Sequence, residues 1–98
     1  MTTEEKAPPP VVHNAAARRF EIVIDGQTAY SKYLLAGNKM VIEHTEVPVG
    51  LEGKGIAGRI VRTELDYARA QKLVVLALCP YAKAFIGRHP EYQDLLDR

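Results

Sequence analysis

The chain has 98 residues, 47% of them hydrophobic and 26% charged, with a formal net charge of +1, one cysteine and no tryptophan. That length suits one domain with a modest core and leaves no room for a separate substrate domain. The near-neutral balance gives no electrostatic case for nucleic acid or an anionic membrane surface, and a single cysteine excludes an intrachain disulfide and a cysteine-based zinc cluster.

No apolar run approaches the roughly 18 residues of a spanning helix, and MTTEEKAPPP lacks the apolar core of a signal peptide. A free thiol is at home in a reducing compartment. The expected location is therefore cytoplasmic, with no membrane and no nucleic acid among the partners and the chain a monomer or weak dimer.

Residues 1–17 read as a disordered tail, because EEKAPPP is polar and proline-rich and HNAAA has no apolar periodicity. One domain is expected over 18–98. RRFEIVI alternates, with Phe20, Ile22 and Ile24 on one face, and ends in Asp25-Gly26, a strong hairpin signal. QTAYSKYLLA fits a returning strand, and Gly37-Asn38 marks a second tight turn. KMVIEHTEV fits a third strand, with Met40, Ile42 and His44 on one face and Val41, Glu43 and Thr45 on the other. Three strands joined by tight turns make an antiparallel meander.

A glycine-rich loop follows. Ile56, Ile60, Leu65 and Ala68 then recur at helical spacing, predicting a helix from about Gly53 to Gln71. KLVVLALC is a nearly continuous apolar run of strand length, expected in the middle of a sheet covered on both faces. PYAKAFIGR opens on proline at a first helical position and is expected to stop at Gly87; HPEYQDLLDR closes the chain as a short turn or helix. Tyr92, Leu95 and Leu96 are expected as a cap on the core. A helix crossing between two strands of one sheet favours a parallel, right-handed connection. The predicted class is α/β (α+β): a mixed sheet of an antiparallel meander plus one parallel strand, with a helix on each side.

The stretch VPVGLEGKGIAGRIVRTELDYA, Val47–Ala68, crowds four glycines between a strand end and a helix start. Backbone N–H groups point outward there without intrahelical partners, and the helix dipole adds positive potential. Gly53, Lys54, Gly55, Ile56 and Ala57 are thus placed to cradle a pyrophosphate through main-chain N–H groups. A P-loop is excluded, since Gly55 stands where Ser or Thr should follow Gly53-Lys54. Gly53 to Gly58 does read G-x-G-x-x-G, but a dinucleotide fold needs a parallel unit before and after it, and a meander precedes it here. The other reading is a glycine-rich turn with no ligand.

Glu52-Gly53-Lys54-Gly55-Ile56-Ala57 resembles the cofactor loop of the GNAT superfamily of acyl-CoA-dependent N-acetyltransferases, Gln/Arg-x-x-Gly-x-Gly/Ala, matching at Gly55 and Ala57 and departing at Glu52. The closer resemblance is to very small stand-alone GNAT-like proteins that share EHTEVP, GKGIA, CPYAKAFI and HPEYQDLL. It covers about Arg18 to Leu96. The resemblance implies a minimal GNAT-like fold, acetyl-CoA as co-substrate without a metal, and an amine acceptor that it does not identify. It implies that the pantetheine arm inserts between two splayed parallel strands, with main-chain partners from Glu46 and Val47, and that Pro48 ends the pairing. It also points to His44 and Cys79 as catalytic candidates.

The chemistry of those two residues is consistent with that. Cys79 ends a strand before Pro80 opens a helix, where the dipole favours thiolate. His44 lies on the parallel neighbour, so a Cys–His pair is conceivable. Direct attack of the amine on acetyl-CoA, with His44 or water taking the proton, is preferred to an acyl-enzyme on Cys79 because a CoA thioester is already activated. The bland alternative is a small buried cysteine and a packed strand histidine. Tyr81 and Phe85 are expected to wall the pantetheine or acyl end, or else to pack the last helix on the sheet. Lys83 and Arg88 could meet phosphates but are also ordinary surface charges. Beside an N-acetyltransferase acting on a small or peptide amine stand two further readings: a non-catalytic CoA- or acyl-CoA-binding module, and a partner-binding domain with a vestigial loop.

Overall fold

A computed structural model describes residues 9–97. Strands β1 (Val12–Asn14), β2 (Arg19–Ile24), β3 (Gln27–Ala36), β4 (Lys39–Glu46) and β5 (Val74–Ala77) form one sheet in that spatial order. The first four pair antiparallel with one another in turn, and β5 lies parallel to β4. Helix α1 (Ile56–Ala70) makes the crossover, α2 (Pro80–Arg88) follows β5, and a 3-10 helix, Pro90–Leu95, closes the chain.

Local chemistry accounts for these elements. Asp25 and Gly26 both take positive φ (51° and 76°), the geometry of a tight hairpin turn between β2 and β3. Phe20, Ile22, Ala29, Tyr33, Met40, Ile42, Val75 and Ala77 line one face of the sheet and are buried. Onto this face α1 presents Ile56, Ile60, Val61, Leu65 and Ala68. The helix begins three residues later than its periodicity suggests, because Gly53 and Gly55 adopt positive φ and cannot continue a right-handed helix. At its other end α2 runs through Gly87 to Arg88 and stops where His89 leaves helical geometry (φ −127°) before Pro90.

The antiparallel meander and the one parallel pair are those expected, but the sidedness differs. Rather than one helix on each side, α1 and α2 lie together over the buried face. Tyr81 and Phe85 of α2 approach α1 at Gly58, where their atoms lie 3.5 and 3.7 Å from the position a Cβ would occupy. The opposite face stays open, with Val23, Leu34, Leu76 and Leu78 exposed. Accordingly β5 is not a central strand covered on both faces. It is the last strand of the sheet, and its outward residue Leu76 and the following Leu78 are 38% and 59% exposed.

The segment expected as a tail is also partly built in. Val12–Asn14 pair with Arg19–Glu21. His13 stacks on Phe20 at 4.1 Å between ring centroids and hydrogen-bonds the Tyr33 hydroxyl. Arg59 of α1 donates to the carbonyl of Pro9 at 2.7 Å. Three strand residues are too few to display a period, and the further partners of His13, Tyr33 and Tyr67, are distant in sequence. The part of the expected tail before residue 9 lies outside the described residues.

The closing segment caps the core as expected. Tyr92 and Leu95 are buried, and Leu96 bridges to Val75 alongside β5. The Tyr92 hydroxyl donates to Asp66 at 2.7 Å and accepts from Arg62 at 3.1 Å, while Arg69 grips Asp94 through two 2.9 Å contacts. Among the described residues no helix is long and apolar enough to cross a membrane.

One charged residue sits in this core. Glu64 occupies the apolar stripe of α1 between Ile60 and Ala68 and is fully buried. Ser31 of β3 donates to its Oε1 at 2.6 Å, and Oε2 has no hydrogen-bond partner. Burial pushes its carboxyl from the ordinary 4.5 up to about 8, against a smaller opposing effect of the Ser31 hydrogen bond. Between those two values the folded chain holds a proton that the unfolded chain has released, so this group's contribution to stability is full below the lower value and is lost as pH rises through the window. Glu64→Gln removes that loss. In urea unfolding, its midpoint relative to wild type should rise between about pH 5 and about pH 9; a pH-independent difference would show that Glu64 is ionised throughout.

Candidate active site

The site is built where β4 and β5 part. Their parallel register runs from Lys39↔Val74 to Ile42↔Ala77 and stops. The amides of Leu78 and Cys79 both donate to the carbonyl of Ile42, at 3.0 and 3.1 Å, and Pro80 then opens α2. Strand β4 continues to Glu46 against β3 alone. Residues 43–46 therefore present a strand edge without a β5 partner.

A bulge reorients that edge. Tyr33 pairs with Ile42 and Lys32 with His44, so Glu43 is an extra residue in β4. Every side chain beyond it changes face. His44 was expected beside Met40 and Ile42; the bulge sends it to the open face, where it is half-exposed and its Nε2 lies 2.8 Å from Glu46 Oε1. Thr45 takes the inward place instead. It pairs with Ser31 and accepts a hydrogen bond from the Cys79 thiol at 3.3 Å. The structure thus joins Cys79 to Thr45 and His44 to Glu46, and it does not join Cys79 to His44. Cys79 is buried, 3% exposed, at the N-cap of α2.

The glycine-rich loop lies beside this opening. After Glu46 the chain turns at Pro48 into a 3-10 turn, Val49–Leu51, and reaches α1 through Gly53 (φ 79°) and Gly55 (φ 73°). Gly55 is the N-cap of α1. No side chain caps the helix, and its first turn carries no acidic residue, so its leading N–H groups remain available. A cavity of about 210 Å³ opens here. Of the residues expected at a cofactor site, Val47, Gly53, Gly55, Ile56, Ala57 and Tyr81 line it, whereas Glu46, Lys54 and Phe85 do not. Phe85 instead packs internally, stacked on His89 at 3.9 Å. Leu51 and Gly58 also line the cavity, as does Glu52, the residue at which the loop departs from the pattern it resembles.

The family model for GCN5-related N-acetyltransferases matches residues 19–95. The chain belongs to the GCN5-related N-acetyltransferase family. Its relatives include Protein NATD1 of Homo sapiens, 30% identical over 94% of this chain and 84% of that protein, and Protein NATD1 of Danio rerio, 31% identical over 87% of this chain and 80% of that protein. The solution structure of a GCN5-like protein from Staphylococcus aureus superposes with a TM-score of 0.68, at 28% identity, over 82% of this chain and 81% of that one.

Within this family member, the groups that sequence reasoning passed over are Ser31, Thr45 and Glu64. Only Glu64 left a signal: a carboxylate spaced four residues from both Ile60 and Ala68 interrupts the apolar stripe of α1. The inward position of Thr45 depends on the bulge and has no sequence mark. Among the described residues no group of three or more His, Cys, Asp or Glu side chains is arranged to hold a metal ion.

Gly55 at the N-cap of α1 and Gly58 within the helix should respond differently to alanine. At Gly55 nothing lies within 4 Å of an added Cβ, so the cost is conformational, of order 1 kcal/mol for a residue held at positive φ. Gly58 is helical, and its added Cβ would meet Tyr81 and Phe85 at ordinary contact distance. Gly58→Ala should leave stability unchanged or raise it by up to about 1 kcal/mol. Urea unfolding of both variants checks the pair, and equal losses would contradict it.

Proposed function

We propose that this GCN5-related N-acetyltransferase binds acetyl-CoA across the opening between β4 and β5 and transfers the acetyl group to an amine. The observation that carries the reading is the cavity at the uncapped start of α1, adjoining the end of β4 that has no β5 partner. The residues fit the group. Main-chain N–H groups around Gly53 and Gly55 suit a diphosphate, since nothing lies within 4 Å of where a Cβ would stand at either glycine, although the Glu52 carboxylate also lines the cavity. The unpartnered stretch at 43–46, continued by Val47, suits the amides of a pantetheine arm, and Tyr81 walls the cavity beside it.

Acetyl-CoA supplies an activated thioester, so the protein's task is to position an amine and remove its proton. His44 is the candidate base. With Nε2–H donating to Glu46, its Nδ1 keeps a lone pair facing a solvent-accessible side of the strand. Cys79, buried against Thr45 and not among the residues lining the cavity, does not act as a nucleophile in this reading.

A second reading, a CoA- or acyl-CoA-binding module without transfer, is favoured by one observation: His44 and Cys79 are held by different partners and form no dyad. Calorimetric titration with acetyl-CoA should give saturable binding at one site per chain. A screen of small and peptide amines, read as CoASH release by chromatography, should then find an acceptor, and His44→Gln should slow that release by about 100-fold with little change in acetyl-CoA affinity. Binding with no release for any amine would establish the module; no binding would overturn both readings.

A further inference from the structure

The buried carboxylate in α1 and the thiol at the start of α2 are the ends of one hydrogen-bonded run. Cys79 Sγ donates to Thr45 Oγ1 at 3.3 Å, Thr45 Oγ1 to Ser31 Oγ at 3.4 Å, and Ser31 Oγ to Glu64 Oε1 at 2.6 Å. All three links point the same way, from sulfur towards carboxyl, and the central one is the longest and weakest. Ser31, Glu64 and Cys79 are buried, and Glu64 Oε2 has no other partner. A core of this size gains nothing in stability from such an arrangement, since a buried carboxyl with an unpaired oxygen is costly.

We propose that Glu64 is a positioning residue for Cys79, acting through Ser31 and Thr45 to set whether the sulfur is a thiol or a thiolate. The proposal rests on placing Cys79 beside the acetyl-transfer site. Each hydroxyl can donate or accept, so the run can reverse as a unit. In the reversal the Cys79 proton passes to Thr45 Oγ1, the Thr45 hydroxyl proton to Ser31 Oγ, and the Ser31 hydroxyl proton to Glu64 Oε1. Sulfur keeps the electron pair of its broken S–H bond. A carboxylate and a thiol become a carboxylic acid and a thiolate, and nothing else is consumed or released.

Burial supports the exchange by holding the Glu64 carboxyl up to about 8, near the ordinary range of a thiol, so that neither end keeps the proton outright. The other titratable groups around the run are few. At the carboxyl end, Tyr33 of β3 interacts with Glu64, Tyr67 of α1 and Arg18, and His13 of β1 bonds its hydroxyl. Burial raises Tyr33 and lowers His13, which keeps both neutral through the range in question. At the sulfur end stand His44 and Glu46 on the next residues of β4, and Tyr81 and Lys83 in the first turn of α2.

The single cysteine makes the test clean. Selective 13C labelling of cysteine gives one Cβ signal, whose shift with pH follows the Cys79 thiol in the full chain without acetyl-CoA. Wild type should titrate in two steps, because carboxyl and thiol share the transition. Glu64→Gln, which cannot take the proton, should titrate in one step with a midpoint lower by about half a pH unit or more. Ser31→Ala, which keeps the carboxyl and cuts the run, should also give one step and serves if the glutamine variant does not fold. In a Thr45→Val background, adding Glu64→Gln should leave the profile unchanged. A wild-type profile that Glu64→Gln does not alter, or an effect of Glu64→Gln that survives Thr45→Val, overturns the proposal. Because no cofactor is present, that failure is separate from any failure to bind acetyl-CoA.

Discussion

Everything at this site depends on the way β4 loses its partner. A strand edge left open next to a core exposes N–H and C=O groups that must find partners elsewhere. Here the divergence is enforced covalently and locally. Leu78 and Cys79 spend their amides on one carbonyl, and Pro80, which has no N–H, turns the chain into α2. Strand β4 meanwhile stays paired with β3 as far as Glu46. The result is a gap between two strands that remain parallel neighbours only as far as Ile42 and Ala77.

The bulge at Glu43 decides what fills that gap. Without the extra residue, the imidazole of His44 would occupy the inward place now held by Thr45, and the Cys79 thiol would pack against a ring in place of a hydroxyl. One inserted residue thus frees a histidine to face solvent beside Glu46 and links the cysteine to a polar run inside the core. The glycine loop completes the arrangement. It leaves the start of α1 uncapped beside the gap, while Gly58 lets α2 close against α1.

Much of this was legible in the residues. Alternation in RRFEIVI and the Asp25-Gly26 turn predicted the meander, and the helix–strand order after the glycine loop predicted the parallel pair. The misreadings have physical causes. An apolar run such as KLVVLALC reports burial of one face and says nothing of the other when an outer sheet face is left apolar and open, as at Leu76 and Leu78. Periodicity cannot register a bulge, so the face of His44 was assigned by a parity that Glu43 breaks. The strand at Val12–Asn14 was invisible because it is short and its order also draws on tertiary contacts, those of His13 with Tyr33 and Tyr67 above all. At the site, the loop glycines and Tyr81 could be read as a group from sequence, but the partners of Cys79 could be found only from the register of β3 against β4.

The account stands on a stretch of β4, open on its β5 side, that a cofactor completes. Amide hydrogen exchange at residues 43–47, measured with and without acetyl-CoA, addresses it most directly. The account predicts fast exchange in the free protein for those amides of 43–47 that face the open β5 side, beside slow exchange at residues 40–42, and marked slowing of the same amides on saturation with acetyl-CoA. Protection of the whole stretch already present in the free protein, or exchange there that saturating acetyl-CoA leaves unchanged, would contradict it.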